Sequence, residues 1–340
     1  MLVRLNKKSV YIYIILSVIL LVFSFNVYED DALDLGRYYG DALANVHLYN
    51  NITTYIYTLI SSDVDFIYQT SLFMAAREGV NLSFVTVFFL SLYYISIYKL
   101  LDLLYGRGKF PQVFLIFIFL LCPLIWTLTI SRTIAALSFL YIACYYIKRE
   151  YYIKSIFFFC ISVFTHVSIL IFAAIICGAF LLSRLKFKIR VLTAMMIGTF
   201  AYFLPNLIMD AISPYVALLQ SRYSYYATME MQSPLFASNL GIGDKLPIVF
   251  IYLVSLFLLI KDKRSDWTYY VLYISWCLLS FFIWSDVMMT NRMIMFSIPF
   301  IGISWYAVVS RCNLKLMQII SYLGILISIG SLYTYRTMFI

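Results

Sequence analysis

Charged side chains are scarce in this chain of 340 residues, at 12%, whereas apolar side chains make up 64%. Soluble globular domains carry roughly a quarter charged residues. Together with a mean hydropathy of +0.91, the shortage of charge excludes a soluble protein. Apolar runs of about 20 residues, the length that crosses a hydrocarbon core as a helix, recur from one end to the other. We therefore predict an all-α fold, a polytopic integral membrane helical bundle.

Several motifs of soluble enzymes are also missing. The chain has no Walker phosphate loop, no GxSxG, no HExxH and no internal repeat, which disfavours ATP-driven and protease chemistry. Its 6 cysteines form no CxxC pair and no metal-type spacing, so we interpret them as filler of the membrane core. We expect neither a metal nor a cofactor. The net charge of +9 requires no nucleic-acid partner, because the basic residues cluster between apolar runs, as in cytoplasmic loops.

The distribution of charge predicts how the chain crosses the membrane. With the N-terminus in the cytoplasm, most of the 25 basic residues fall inside and most of the 16 acidic residues outside, as the positive-inside rule requires. This orientation gives one transmembrane domain, residues 1–340, of about 10–12 helices. An acidic outer segment with amphipathic helices is expected at 28–80 and a second outer loop at 210–245. The predicted spans lie at about 9–25, 82–104, 111–126, 131–147, 191–209, 246–260, 267–284, 293–309 and 316–332.

The stretch SIFFFCISVFTHVSILIFAAIICGAFLLS, residues 155–183, poses a topological problem. Both Lys154 and Arg184 must be cytoplasmic, because a single crossing between them would place the basic cluster RLKFKIR outside. At ~1.5 Å per residue the stretch reaches roughly 44 Å, which is short of the ~60 Å that two full crossings need. We therefore predict two short helices that meet at FTHVS. His166 would then lie near the outer side of the membrane, at a turn that cannot face lipid.

Arginines on the outer side depart from the positive-inside pattern and call for a functional hypothesis. Guanidinium groups bind phosphate in bidentate fashion, so arginines that converge beneath an outer cavity would suit a lipid-linked diphosphate. Arg132 and Arg292 are the first candidates because each begins an apolar helix. The alternative is that scattered arginines anchor helix ends at lipid headgroups. The outer arginines at or next to helix ends are Arg77, Arg132, Arg222 and Arg292, and Arg37 lies in the first outer segment.

The first outer segment contains a spacing that would align polar side chains. Four residues follow at i, i+3, i+4 and i+7: Asp34, Arg37, Tyr38 and Asp41. In a helix this spacing places them on one face. Such a face offers a carboxylate for sugar hydroxyls or general-base work, an arginine to orient it, and a tyrosine to stack on a sugar ring. An exposed amphipathic helix with routine ion pairs is the alternative.

Two weaker features concern metal binding and proton transfer. Asp63 and Asp65, in SSDVDF, have the Asp-x-Asp pattern that holds a divalent metal on sugar-phosphate donors, but two acids alone are a weak signal. His166 is one of only 2 histidines. Because imidazole titrates near neutrality, this residue could act as a base or contact a phosphate. The alternative is a histidine that is hydrogen-bonded at a helix junction.

Four motifs, in this order, resemble the bacterial polysaccharide polymerases of the EpsG/Wzy type. They are an acidic Asp-and-Tyr segment after the first helix (LDLGRYYGD), an arginine that opens a helix with small residues after it (SRTIAALSFLYIA), a basic turn before a short helix with Thr-His-x-Ser (FTHVSIL), and an outer loop with Arg-Tyr-x-x-Tyr (SRYSYY). The family's Asp-Tyr pair is here Asp34 with Tyr38 and Tyr39, a departure that bears on the role of this acid.

The resemblance implies a glycosyltransferase with a membrane-embedded, GT-C-like fold on the outer side of the bacterial plasma membrane. Such an enzyme joins undecaprenyl-diphosphate-linked repeat units by transferring the growing glycan to a sugar hydroxyl of a new lipid-linked unit. The implied catalytic residues are His166, Asp34 and Arg132. The implied diphosphate-binding residues, which would act in place of a metal, are Arg132, Arg292, Arg222 and Arg77. The implied sugar-binding residues are Arg37, Tyr38, Tyr39, Asp41, Tyr223 and Tyr226.

Three other functions stay open on the sequence. A lipid-linked glycan flippase or transporter is also a polytopic bundle, but such proteins commonly show repeats, which this chain lacks. A polysaccharide O-acyltransferase would be expected to have a histidine and an arginine-rich motif in its first helix. Neither feature is present in the first helix of this chain. An O-antigen ligase shares fold and donor and differs mainly in its acceptor. The expected partners are the lipid bilayer, the lipid-linked glycans, and a chain-length regulator and flippase of the same pathway.

Overall fold

The computed structural model describes residues 7–24, 34–49, 51–62, 65–105 and 131–184, together with 253, 267, 270–272, 274–276 and 292–301. These residues form helices joined by short turns, and no strand occurs among them. The prediction of an all-α fold is confirmed over this part of the chain. The helices are α1 (Lys7–Ser24), α2 (Asp34–Leu48), α3 (Ile52–Ser62), α4 (Phe66–Arg77), α5 (Ser83–Tyr105), α6 (Ser131–Lys148), α7 (Tyr152–Thr165), α8 (Ile169–Ser183) and α9 (Arg292–Ile301).

Helix α5 is the element of the described residues that is long and apolar enough to cross a membrane. Its apolar stretch covers Ser83–Leu104, 22 residues with a mean hydropathy of 1.7, and at ~1.5 Å per residue it is about 33 Å long. The helix predicted at 82–104 is confirmed within one residue at each end, and its crossing of the membrane stays a prediction. Helix α1 packs beside α5, with the Tyr11 and Tyr98 rings 5.8 Å apart, edge to face.

Helices α6 and α7 form a tight hairpin that also packs on α5. Two serines of α7 hold it together across the interface: Ser162 Oγ donates to the Ala136 carbonyl at 2.6 Å and Ser155 Oγ to the Ala143 carbonyl at 3.0 Å. The alanines allow the two backbones to approach closely, as small residues do between membrane helices. The two bonds are seven residues apart on each helix, so they fix the register of the hairpin.

The stretch 155–183 is divided between two short helices, as predicted. Helix α7 ends at Thr165 and α8 begins at Ile169, and His166 occupies the junction in an extended conformation, with φ −164° and ψ 116°. Which side of the membrane the junction faces stays a prediction, as do the count of about ten to twelve spans and the cytoplasmic N-terminus. The predicted spans at 111–126, 191–209, 246–260 and 316–332 and the loop at 210–245 lie outside the described residues.

Helices α2, α3 and α4 form the described part of the predicted outer segment. Both α2 and α3 pack on α4, and the α3–α4 contact is built around Tyr55, Leu59 and Phe73, with the Tyr55 and Phe73 rings stacked at 4.2 Å. Helix α4 ends in a turn at Gly79, which has φ +67°. This turn returns the chain directly to the start of α5. Helix α4 also contacts α5 and α7.

The contacts divide the chain into two compact units. The first contains the described residues up to Leu170, and the second contains those from Ile171 to Ile301. In the second unit, Phe172 of α8 stacks on Phe296 of α9 at 4.7 Å. Gly178 lies where an added Cβ would come 3.4 Å from the Ile274 side chain, so this glycine allows close packing. The single transmembrane domain of residues 1–340 stays a prediction.

Candidate functional site

Asp65 joins two of the residues that the sequence analysis proposed as catalytic. It immediately precedes α4 and its side chain is 3% exposed. Its Oδ1 lies 2.9 Å from Nδ1 of His166 and accepts the backbone N–H of Val167 at 3.3 Å. Its Oδ2 forms an ion pair with the guanidinium of Arg132. One buried carboxylate thus holds an imidazole and a guanidinium, one on each oxygen.

The end of α7 explains how the imidazole reaches the carboxylate. The His166 backbone N–H still donates to the Ser162 carbonyl at 3.1 Å, as it would in a helix, but its extended backbone ends the helix there. The chain then turns into α8, which places the backbone N–H of Val167 beside the same carboxylate. Such irregular backbone is tolerated in a membrane bundle only where protein or water surrounds it. His166 and Val167 are both buried in protein.

Arg132 is held from a second side by an aromatic ring. Its guanidinium carbon lies 4.5 Å from the centroid of the Tyr38 ring, and that of Arg37 lies 5.1 Å from the same centroid. Arg37 also donates from Nη2 to the Tyr38 hydroxyl at 3.2 Å. Tyr38 is buried and packs edge to face on Tyr68, with 6.1 Å between centroids. Two arginines therefore share one tyrosine, and cation–π attraction stabilises both.

The electrostatics of the site keep Asp65 ionised. Burial alone would raise the pKa of this carboxyl, because the charged form loses water. The nearby His166 and Arg132 and the hydrogen bonds from His166 and Val167 outweigh burial and lower the pKa of Asp65 to about 2. At neutral pH the site therefore contains a carboxylate, which is paired with the guanidinium and hydrogen-bonded to the imidazole.

The site lies at one end of the α6–α7 hairpin, and a basic turn lies at the other. Arg132 is the second residue of α6, and Lys148 is the last, a separation of about 24 Å along the axis. Lys154, near the start of α7, lies close to the rings of Tyr146 and Tyr151 at the same end as Lys148. The hairpin therefore separates the charged cluster around Asp65 from the basic residues that the positive-inside rule assigns to the cytoplasm.

The structure brings four predicted site residues together: Arg132, His166, Tyr38 and Arg37. Tyr39 is buried near them on α2 but contacts α5, since its hydroxyl lies 2.7 Å from Thr86 Oγ1, and burial raises the pKa of Tyr39.

The other predicted residues are exposed, belong to the second compact unit, or lie outside the described part of the chain. Asp41 is exposed on α2. Arg77 is exposed at the far end of α4, about 18 Å along the axis from Asp65. Arg292 begins α9 in the second unit. Asp34 begins α2, but its side chain lies outside the described part of the chain, as do Arg222, Tyr223 and Tyr226.

Sequence reasoning noticed Asp65 only as half of a weak Asp-x-Asp pattern and did not include it among the predicted site residues. The Asp-x-Asp pattern suggested a weak metal motif, whereas both oxygens of Asp65 contact protein groups. Asp63 lies outside the described residues. A buried acid in a membrane bundle needs a cation, and this rule could have directed attention to the outer arginines. No sequence pattern indicates the contact between Asp65 and the Val167 backbone.

The cluster has the groups for moving a proton beside a negative charge. With Nδ1 of His166 on the carboxylate, Nε2 is the other ring nitrogen that can carry a proton, and it is buried. Arg132 carries a planar guanidinium, the group that binds phosphate and carboxylate oxygens best among side chains. Such a pair of a positioned imidazole and a guanidinium can act as general base and as stabiliser of a developing anion.

The comparison with family models gives one match: the model of the EpsG family covers residues 36–340. The matched range contains Arg37, Tyr38, Asp65, Arg132 and His166. No curated protein and no solved structure matches the chain. The EpsG family is associated with membranes, with polysaccharide biosynthesis and with glycosyltransferase-like polymerases. Because the match extends over far more than half of the chain and agrees with the resemblance in four sequence motifs, the chain belongs to the EpsG family.

Proposed function

We propose that this protein polymerises a bacterial surface polysaccharide. It joins undecaprenyl-diphosphate-linked repeat units on the outer side of the plasma membrane, by transfer of the growing glycan to a sugar hydroxyl of a new unit. The observation that carries the proposal is the buried carboxylate of Asp65 between the His166 imidazole and the Arg132 guanidinium. This arrangement supplies the base and the anion partner that a glycosyl transfer from a diphosphate requires.

Each step of the transfer has a group to support it. The acceptor hydroxyl oxygen attacks the anomeric carbon of the donor glycan, and its proton passes to Nε2 of His166. The bond between that carbon and the diphosphate oxygen breaks, and its electron pair leaves with the diphosphate. Arg132 stabilises the released charge, because a guanidinium binds phosphate oxygens in bidentate fashion. In this proposal arginines take the place of a divalent metal.

Asp65 acts in the proposal through its two neighbours. Its contact with Nδ1 fixes the orientation of the imidazole, as a carboxylate does for a catalytic histidine in other enzymes, and stabilises the protonated ring after transfer. Its contact with Arg132 holds the guanidinium beside the imidazole. Tyr38 supports Arg132 from the other side, with its ring 4.5 Å from the guanidinium carbon. We therefore assign Asp65 and Tyr38 as positioning residues.

Further residues are proposed to bind the substrates. Arg37 is exposed and shares the Tyr38 ring, so it can meet the diphosphate or a sugar before Arg132 does. Asp34 stays an alternative base. The further proposed diphosphate ligands are Arg77, Arg222 and Arg292, and the further proposed sugar ligands are Tyr39, Asp41, Tyr223 and Tyr226.

The side of the membrane follows from charge. Lys148, Arg149 and Lys154 lie at the turn of the α6–α7 hairpin, and the site lies at the opposite end. If the basic turn is cytoplasmic, the site faces the periplasm or the cell exterior. Lipid-linked repeat units would then reach it after a flippase has delivered them, and a chain-length regulator of the same pathway would set when transfer stops.

Deletion of the gene tests the proposal against its rivals. The length distribution of the surface glycan is compared on a gel between the wild type and the deletion strain. The proposal predicts that the ladder collapses to a single repeat unit on its carrier. Lipid-linked units that accumulate inside the cell would indicate a flippase. Full-length polymer that stays on undecaprenyl diphosphate would indicate a ligase, and a normal ladder without acyl groups would indicate an acyltransferase.

A further inference from the structure

A small cavity lies between α4, α5 and α6. It is lined by Tyr68, Thr86, Phe89, Leu90, Ser131 and Ile134. Its water-accessible volume is about 10 Å³, which is the space of about one water molecule. Three hydroxyl groups line it, one from each helix. An apolar cavity of this size would stay dry, but a polar one with several partners retains water.

Two of the three hydroxyl groups are buried without a hydrogen-bond partner among the described residues. These are the Tyr68 Oη and Ser131 Oγ atoms, on residues that are 0% and 5% exposed. The third, Thr86 Oγ1, lies 2.7 Å from the Tyr39 hydroxyl and keeps further bonding capacity. A buried hydroxyl that loses its bond to water costs about 1–3 kcal/mol. Two buried hydroxyl groups that lack a bond at the same cavity indicate that a hydrogen-bonding molecule occupies it.

The hydroxyl groups are close enough to influence one another. Burial raises the pKa of Tyr68, and the neighbouring Ser131 and Thr86 hydroxyls oppose the rise only in part. Their geometry nevertheless gives no direct hydrogen bond from Tyr68 to either residue. A single water between the three oxygens would satisfy Tyr68 and Ser131 together and would have the usual three partners of a buried water.

We propose that this cavity holds one ordered water that is hydrogen-bonded to Tyr68 Oη, Ser131 Oγ and Thr86 Oγ1, and that it positions Arg132. The connection to Arg132 has two routes. Ser131 is its direct neighbour at the start of α6. The Tyr68 ring packs on Tyr38, the ring that carries the guanidinium. The positioning role rests on the proposed function, whereas the presence of the water does not.

Thermal stability tests for the water independently of activity. Tyr68→Phe and Ser131→Ala each remove one of its partners, so each is expected to lower the apparent Tm of the purified protein in detergent by about 2 °C or more. If the cavity is dry, Tyr68→Phe removes an unsatisfied buried hydroxyl and leaves the Tm equal or higher, which would overturn the proposal. Ser138→Ala on the same helix is the control. Among the described residues, the Ser138 hydroxyl bonds within α6, to the Ala135 carbonyl, and its loss should change the Tm by less than about 1 °C.

A high-resolution structure and an activity assay complete the test. Density within hydrogen-bond distance of all three oxygens is expected, and an empty cavity in a map that shows other buried waters would overturn the proposal. Tyr68→Phe is also expected to shorten the surface glycan severalfold at equal protein level. Normal glycan with a lowered Tm would contradict the positioning role. If deletion of the gene leaves the glycan ladder intact, the proposed function fails, but the Tm and density results still decide the water.

Discussion

The carboxylate of Asp65 lies 2.9 Å from the imidazole of His166, although 101 positions separate the two residues in the chain. One belongs to the segment between α3 and α4 and the other to the break between α7 and α8. Their contact fastens the outer segment to the membrane helices at the point where Arg132 begins α6. The same contact therefore contributes to both the fold and the proposed chemistry.

Asp65→Asn is expected to damage stability and polymerisation together. Asparagine keeps the shape but leaves the Arg132 guanidinium in a nearly closed site without its counter-charge, at a cost of about 3–5 kcal/mol. The measurements are the apparent Tm and the glycan length at equal membrane abundance. Glu78→Gln, at the exposed end of the same helix, is the control and should behave as the wild type. An unchanged Tm in Asp65→Asn would contradict the buried ion pair.

Arg132→Lys should abolish most polymerisation even though the charge is kept. A lysine ammonium has no planar face to stack on the Tyr38 ring and no fork of donors to bind a carboxylate and a phosphate together. Transfer should therefore fall by about 100-fold or more. Arg149→Lys is the matched control, because Arg149 lies over the Tyr145 ring at 5.2 Å at the opposite end of the hairpin. Initial rates on a lipid-linked repeat unit are the measurement. Equal rates in the two variants would argue against a role for the guanidinium.

The two serines of α7 provide a test of positioning. Ser162→Ala and Ser155→Ala each remove one buried hydrogen bond to α6, so each should cost about 1 kcal/mol of stability. Ser162 lies one turn before His166, whereas Ser155 lies near the far end of the hairpin. Ser162→Ala should therefore reduce the rate severalfold more than Ser155→Ala at a similar Tm. The opposite order would show that hairpin register does not set the position of the imidazole.

Two helix ends have the same hydrogen-bond pattern, but substitutions at them are expected to change stability in opposite directions. After α4, Val80 donates to Ala75 and Gly79 to Ala76; after α6, Tyr151 donates to Tyr146 and Glu150 to Ile147. Glycine fits the left-handed position of such an end, whereas Glu150, with φ 64°, does not. Glu150→Gly should raise stability by up to about 1 kcal/mol, and Gly79→Ala should lower it by about as much. Chemical denaturation is the measurement, and a destabilised Glu150→Gly would contradict the account.

Acid should weaken the site only well below neutral pH. The pKa of Asp65 is lowered in the folded protein from 3.8 to about 2. Because the folded value is the lower one, this stabilisation is complete above about pH 4 and is lost as the pH falls toward 2. The Tm difference between the wild type and Asp65→Asn should therefore shrink as the pH falls below about 4. A difference that already shrinks near pH 6 would show that another group controls it.

The helices whose bounds follow from the length of an apolar run could be predicted from the sequence. The site could be predicted only in part. The helices predicted at 82–104 and 131–147 appear as α5 and α6 within one residue at each end, because the length of an apolar run and the basic residues after it could be read from the sequence. The break at His166 followed from the same arithmetic. On α2, the proposed polar face does not hold as a unit, since Tyr38 lies on the buried side with Leu35, whereas Asp41 is exposed.

The pairing of Asp65 could not be predicted, because it depends on contacts 67 and 101 positions away. Such contacts have no periodicity that a local pattern can reveal. The arginine and histidine were recognisable as costly charges in an apolar chain, but the acid that joins them precedes α4, in a segment where acids are common. The role of Tyr38 under Arg132 was hidden for the same reason, since a tyrosine in an outer segment also suits a sugar.

The most direct test of the central claim is the glycan length distribution in a deletion strain that carries the gene for His166→Gln. Glutamine can keep a hydrogen bond to Asp65 but cannot take a proton, so loss of the base should slow transfer by about 100-fold or more. The account predicts a ladder reduced to single repeat units, with His166→Gln present in the membrane at the wild-type level and with a similar Tm. A full ladder from that variant would contradict the assignment of His166 as the base of this site.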